Sequence, residues 1–261
     1  MQPWKPDWEE SKKRYLDWWN GKGIVLSMWE HIAKKGEPYE NVDPPPPARD
    51  KDQFWFDPEW RAEYLHYQLS RSSFKADIIP VANTHLGPGS LAAILGADLV
   101  AGTDTVWIRQ CTDNLSLELD ENNIWWQMHI ALLKACKAKA CGKYYTGCPD
   151  LVEGLDTLAA IRGTQEILTE MVMKPEMLEE QLWKVNEVYF SVFDRIYEII
   201  REDDGMAFCY FSLWAPDKVA KLQSDISAMI SEEDFRRFVL PYIGEQCREI
   251  AYTLYHLDGV D

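Results

Sequence analysis

Apolar positions along the chain recur at helical spacing in several long stretches, and short continuous apolar runs lie between them. The first stretch, 7–20, carries Tyr15, Trp18 and Trp19 and stops at Gly21 and Gly23, which predicts an amphipathic helix. The run 24–29 predicts a short apolar strand that ends at Trp29, with Glu30 and His31 following. Proline and charge dominate 37–53, which predicts an extended loop. Asp57 with Pro58 predicts a capped helix through Arg71. The run 76–83 predicts a second buried strand, leading through His85, Leu86, Gly87, Pro88, Gly89 and Ser90 into a short helix that reaches Leu95. Residues 105–109 and 115–119 predict a hairpin or an excursion rather than barrel strands.

A helix is predicted over 124–140, and a strand over 143–147 that enters the loop Cys148 to Gly154. One helix, or two split near Gly163, is predicted over 157–173. In the long helix predicted for 175–201, Leu178, Leu182, Val185, Val188, Val192 and Ile196 share a face. A strand is predicted over 206–214. Ser231 and Asp234 have capping-box-like spacing, and Pro241 breaks that helix and opens the next. Thr253 to His256 turns to strand chemistry, so His256 and Asp258 point to one face and Leu257 to the other. Strands that alternate with helices predict a parallel sheet wrapped by helices, in a single domain over 1–261.

Composition narrows the function. The 261 residues carry a formal charge of −16, which argues against nucleic acid and anionic membranes as partners. It also disfavours a polyanionic substrate. The N-terminus has no charged-then-apolar signal pattern and no run is long enough to span a bilayer, so a cytoplasmic protein is expected. Six cysteines without a CxxC pair predict reduced thiols.

The candidate chemistry sits at strand ends. Polar groups collected at the C-terminal ends of parallel strands are where a β/α barrel works. His256 and Asp258 lead as an acid–base or metal pair, zinc being the expected ion, and the alternative is a hydrogen-bonded pair that closes the strand. Glu30 joins them as a catalytic candidate. Trp29, His31, Asn83, His85, Asp150, Tyr210 and Trp214 are candidates for lining the pocket. His85, in its Gly/Pro turn, also reads as structural, and Asp150 and Glu153 also read as helix caps. The aromatic residues also read as core.

Tyr145-Thr146-Gly147-Cys148-Pro149 with Val152-Glu153-Gly154, then Lys174-Pro175-Glu176, then Ser231 to Phe235 with Leu240-Pro241-Tyr242, and the strand ending at His256 occur in an order that resembles the uroporphyrinogen decarboxylase superfamily. The resemblance runs from about Gly23 to the end. It implies a (β/α)8 barrel, incomplete at its C-terminal end, with about six of eight strands present. The superfamily holds haem-synthesis decarboxylases, which are lyases, and cobamide-dependent methyltransferases that move methyl groups to thiols with the help of zinc. Met28 to Lys35 lacks the arginines that grip a tetrapyrrole's carboxylates, and the family's aspartate position falls near Asn83 and Thr84. A many-acid substrate would meet a strongly negative protein without a basic clamp. The expectation is therefore a methyltransferase-like enzyme with a corrinoid co-substrate, a corrinoid protein as possible partner and a possible homodimer. The alternatives are the decarboxylase activity itself, a carbohydrate-active barrel, or a non-catalytic truncated module. In the methyltransferase branch a cysteine stands where Asp258 stands here.

Overall fold

The computed structural model describes residues 2–28, 32–111 and 117–257. In chain order the elements are α1 (Trp8–Trp19), β1 (Ile32–Ala33), α2 (Lys51–Phe56), α3 (Pro58–Ser70), β2 (Ser72–Ser73), β3 (Val81–Ala82), α4 (Ser90–Ile94), β4 (Asp98–Ala101) and β5 (Val106–Arg109). They continue with α5 (Ile124–Ala140), β6 (Tyr145–Cys148), α6 (Gly154–Arg162), α7 (Thr164–Met173), α8 (Pro175–Ile200), β7 (Met206–Phe208), β8 (Leu213–Ala215) and β9 (Val219–Leu222). The last are α9 (Glu232–Phe238), α10 (Leu240–Glu249) and β10 (Tyr252–Tyr255). The fold is mixed α/β. Among the described residues no helix is long and apolar enough to cross a membrane.

The chain divides into two compact units. The first comprises Met1–His85, Met128–Pro149 and Ile196–Val219. Its centre is a four-stranded sheet in the order β3-β6-β7-β8. β3 pairs parallel with β6 (Val81 beside Tyr145), and β6 pairs parallel with β7 (Gly147 beside Ala207). These strands are buried throughout, as parallel strands covered on both faces must be. Gly147 is obligatory here. A Cβ at that position would lie 2.8 Å from the Ala82 carbonyl, from Val81 and from Cys209.

The structure corrects the strand predicted over 206–214. The chain leaves β7, makes a 3-10 turn at Tyr210–Ser212 and returns as β8, antiparallel to β7. Phe211 (φ 61°) and Ser212 (φ 46°) take the left-handed conformation that this reversal requires. Tyr15 and Ser27 hold the turn by donating hydroxyl bonds to the Ser212 and Phe211 carbonyls. The strand predicted over 24–29 is corrected as well. Residues 24–28 form no strand, and Ile24 and Leu26 are largely exposed. The backbone there is tied instead to Asp77, whose carboxylate accepts the Leu26 N–H. The loop predicted over 37–53 contains the start of α2, capped by Asp50.

The second unit comprises Leu86–Gln127, Asp150–Arg195 and Ala220–Asp261. Its hairpin pairs β4 with β5, and of the segment 115–119 predicted beside 105–109, residues 115 and 116 lie outside the described residues. Helices α6 and α7 are separated at Gly163, whose φ of 102° no L side chain adopts easily. Leu178, Leu182, Val185 and Val192 of α8 are fully buried, each stabilising by roughly 1.5–3 kcal/mol relative to exposure. Ser231 accepts the Asp234 N–H and caps α9, and Pro241 sits in the first turn of α10. Strands β9 and β10 pair, and β9 was not foreseen. Among the described residues the strands do not close on one another as a barrel.

Candidate functional site

The parallel strands of the first unit deliver side chains to their C-terminal ends. β3 runs into Asn83, Thr84 and His85, while β7 runs into Cys209 and Tyr210. β6 lies between them, and the Thr84 hydroxyl donates to the Gly147 carbonyl at 2.7 Å, which fixes the exit of β3. This brings the His85 Nε2 within 2.6 Å of the Tyr210 hydroxyl, with the rings 4.5 Å apart and edge-on. The Asn83 side-chain oxygen accepts the His85 N–H at 3.1 Å and sets the turn. Beneath them Arg61 of α3 donates to the His85 carbonyl at 2.5 Å and to the Trp55 carbonyl at 3.2 Å. Burial lowers the Arg61 pKa to about 10, so it stays a cation at neutral pH.

Three of the predicted pocket residues, Asn83, His85 and Tyr210, are therefore gathered. Trp214 belongs to a different network in the same unit. Its indole N–H donates to the Tyr145 hydroxyl at 2.8 Å, and that hydroxyl donates to Asp204, which is ion-paired with Lys12. Trp29, Glu30, His31 and Asp258 lie outside the described residues.

The remaining candidates belong to the second unit. His256 follows β10, its ring is half-buried, and its backbone N–H donates to the Leu222 carbonyl at 2.7 Å. Asp150 is buried in an ion pair with Lys221. Burial raises its pKa and Lys221 opposes the rise. Glu153 caps α6, accepting the Leu155 N–H at 2.6 Å and the Asp156 N–H at 2.8 Å, and takes the Ser224 hydroxyl at 3.1 Å. Asp156 reaches across to the backbone N–H groups of Asp225 and Ile226.

Two of the buried cations, Arg61 and Lys221, lie beside the candidate residues without having been among them. Both had a signal. Arg61 shares the helical face of Leu65 and Leu69, and Lys221 interrupts the apolar run Val219-Ala220-Lys221-Leu222. A metal would need several converging donors. Among the described residues no three His, Cys, Asp or Glu side chains gather to hold one, so the described donors do not by themselves fit a zinc ion.

No family model matches the chain, and no curated protein matches it. Among solved structures it is similar to a methyltransferase from Methanosarcina mazei, with a TM-score of 0.60 and 14% identity over 95% of this chain and 70% of that one. At that identity the likeness is one of fold.

Proposed function

We propose that this chain is a methyltransferase-like enzyme that works at the C-terminal ends of β3 and β7, with His85 and Tyr210 as its proton-handling pair. The observation that carries the proposal is the 2.6 Å contact between imidazole and phenol at the C-terminal ends of two parallel strands that flank β6. That edge is where open and closed parallel sheets place their chemistry. The fold likeness to a methyltransferase supports this reaction class by analogy.

The chemistry follows from the groups. When a thiol accepts a methyl group, the new S–C bond forms as the bond from carbon to its donor breaks. The donor leaves with that electron pair. The thiol proton must go to a base, and the Tyr210 hydroxyl can take it as its own proton passes to the His85 Nε2. Arg61 holds the His85 carbonyl and so fixes the ring's base. General acid–base help of this kind contributes typically about 10²–10⁴-fold.

The finer form of the proposal is corrinoid-linked transfer within the uroporphyrinogen decarboxylase superfamily, with a corrinoid protein as partner. Strands β3, β6 and β7, adjacent and joined through helices, would then correspond to neighbouring strands of a (β/α)8 barrel. A zinc centre at His256 and Asp258 would need further ligands, and no step above depends on it. Metal analysis of the purified chain and of H256A tests that centre directly: a stoichiometric ion lost in the variant supports it, and its absence from both removes it. Mixing the chain with methylcobalamin tests the finer reading. A shifted corrinoid absorption spectrum is expected, and an unchanged one counts against corrinoid dependence.

A further inference from the structure

The second unit holds a cavity of about 380 Å³ between β5, α6 and the 3-10 turn Asp225–Met229. A water molecule takes up roughly 30 Å³ of liquid, and small-molecule sites start near 300 Å³. Three kinds of surface meet in its wall. Trp107 presents an indole that is 65% exposed, and Ile108 and Met229 add apolar surface. Asp156 and Asp225 bring carboxylates from two different elements. Among the described residues lining the cavity none is Lys, Arg or His.

The carboxylates are held in place. Asp156 accepts the N–H groups of Asp225 at 2.7 Å and Ile226 at 3.0 Å, and Asp225 accepts from Gln223 at 3.1 Å. Lys221, the nearby cation, is engaged with Asp150. Much of the carboxylates' hydrogen-bonding capacity is thus used, and burial raises the Asp156 pKa to about 6, still below neutrality. A divalent ion needs several converging oxygen donors, and no three His, Cys, Asp or Glu side chains gather for one among the described residues. A cation with a greasy surface and little need of hydrogen bonds suits this wall better, because an indole face attracts it within about 6 Å.

We infer that this cavity binds a small alkylammonium cation, with the charged head between Trp107 and the two aspartates. The inference stands apart from the methyl-transfer reading and uses none of its residues.

Isothermal titration of the full chain with choline tests it, against 3,3-dimethylbutan-1-ol, which has the same shape without the charge. Choline is expected to bind at least tenfold more tightly than the alcohol. W107A and D225N alter exposed positions and are each expected to weaken choline at least fivefold with an unchanged circular dichroism spectrum. Equal affinity for choline and alcohol, no choline binding at millimolar concentration, or full affinity in both variants would overturn the inference. So would complete displacement of choline by equimolar magnesium chloride, which would mark a site that reads charge alone. Should a variant misfold, the comparison of choline with alcohol on the unaltered protein decides.

Discussion

Glu153 is a carboxylate pulled in two directions. Burial, reinforced by the charge of Asp156, raises its pKa from 4.5 to about 8, while the capped N–H groups and Ser224 act the other way. The folded chain therefore keeps a proton that the unfolded chain gives up above about pH 4.5. The contribution of Glu153 to folding stability is at its fullest at low pH, falls as pH rises from about 4.5 to about 8, and is level beyond. E153Q keeps an oxygen for the cap and removes the titration. Thermal melts across that window should show a flatter slope in the variant, and a slope as steep as the parent's contradicts the assignment. Gly147 offers a second residue-scale test. G147A drives a methyl into the Ala82 carbonyl and Cys209, and should lower stability by about 1–3 kcal/mol in denaturant unfolding. At this scale the sequence was partly legible. His85, Asn83 and Tyr210 were recognisable as polar or aromatic residues beside predicted strands, but their union was not, since it depends on β6 lying between β3 and β7. Arg61 and Lys221 were passed over because charges are ordinarily solvated, and only the fold shows them buried.

At the scale of elements, local chemistry was the readable part. Asp57 and Ser231 cap where their side chains can accept a backbone N–H, and Gly163 divides two helices because its φ is positive. Replacing Ser231 with Ala should cost about 1 kcal/mol, read as a lower urea midpoint at an unchanged slope. A midpoint equal to the parent's would show that α9 is held by packing alone. The strands were less legible. The apolar run at 24–28 looks like a buried strand, yet the structure leaves it irregular and much of it exposed. The reversal into β8 had no glycine to announce it. Phe211 and Ser212 hold left-handed conformations through bonds from Tyr15 and Ser27, 197 and 184 positions away in the chain, beyond the reach of any local pattern. β5 lies where a hairpin strand is expected, but its partner β4 precedes it and carried no such expectation, because both flanks of β5 offer apolar residues.

At the scale of the whole molecule, the alternation of strand and helix forecast a mixed α/β fold, and the likeness to a methyltransferase over 95% of the chain agrees with that. The net charge of −16 remains an argument about substrate. A protein this acidic gains little from a many-acid ligand, whereas a thiol or a methylated small molecule meets no such barrier. The most direct test is methyl transfer from methylcobalamin to 2-mercaptoethanol, followed by the corrinoid absorption in the parent chain and in Y210F. The account predicts that the parent accelerates transfer above the rate of the free reagents, and that Y210F, folded by circular dichroism, loses at least tenfold of that acceleration. No acceleration by the parent, or an undiminished rate in Y210F, would contradict it.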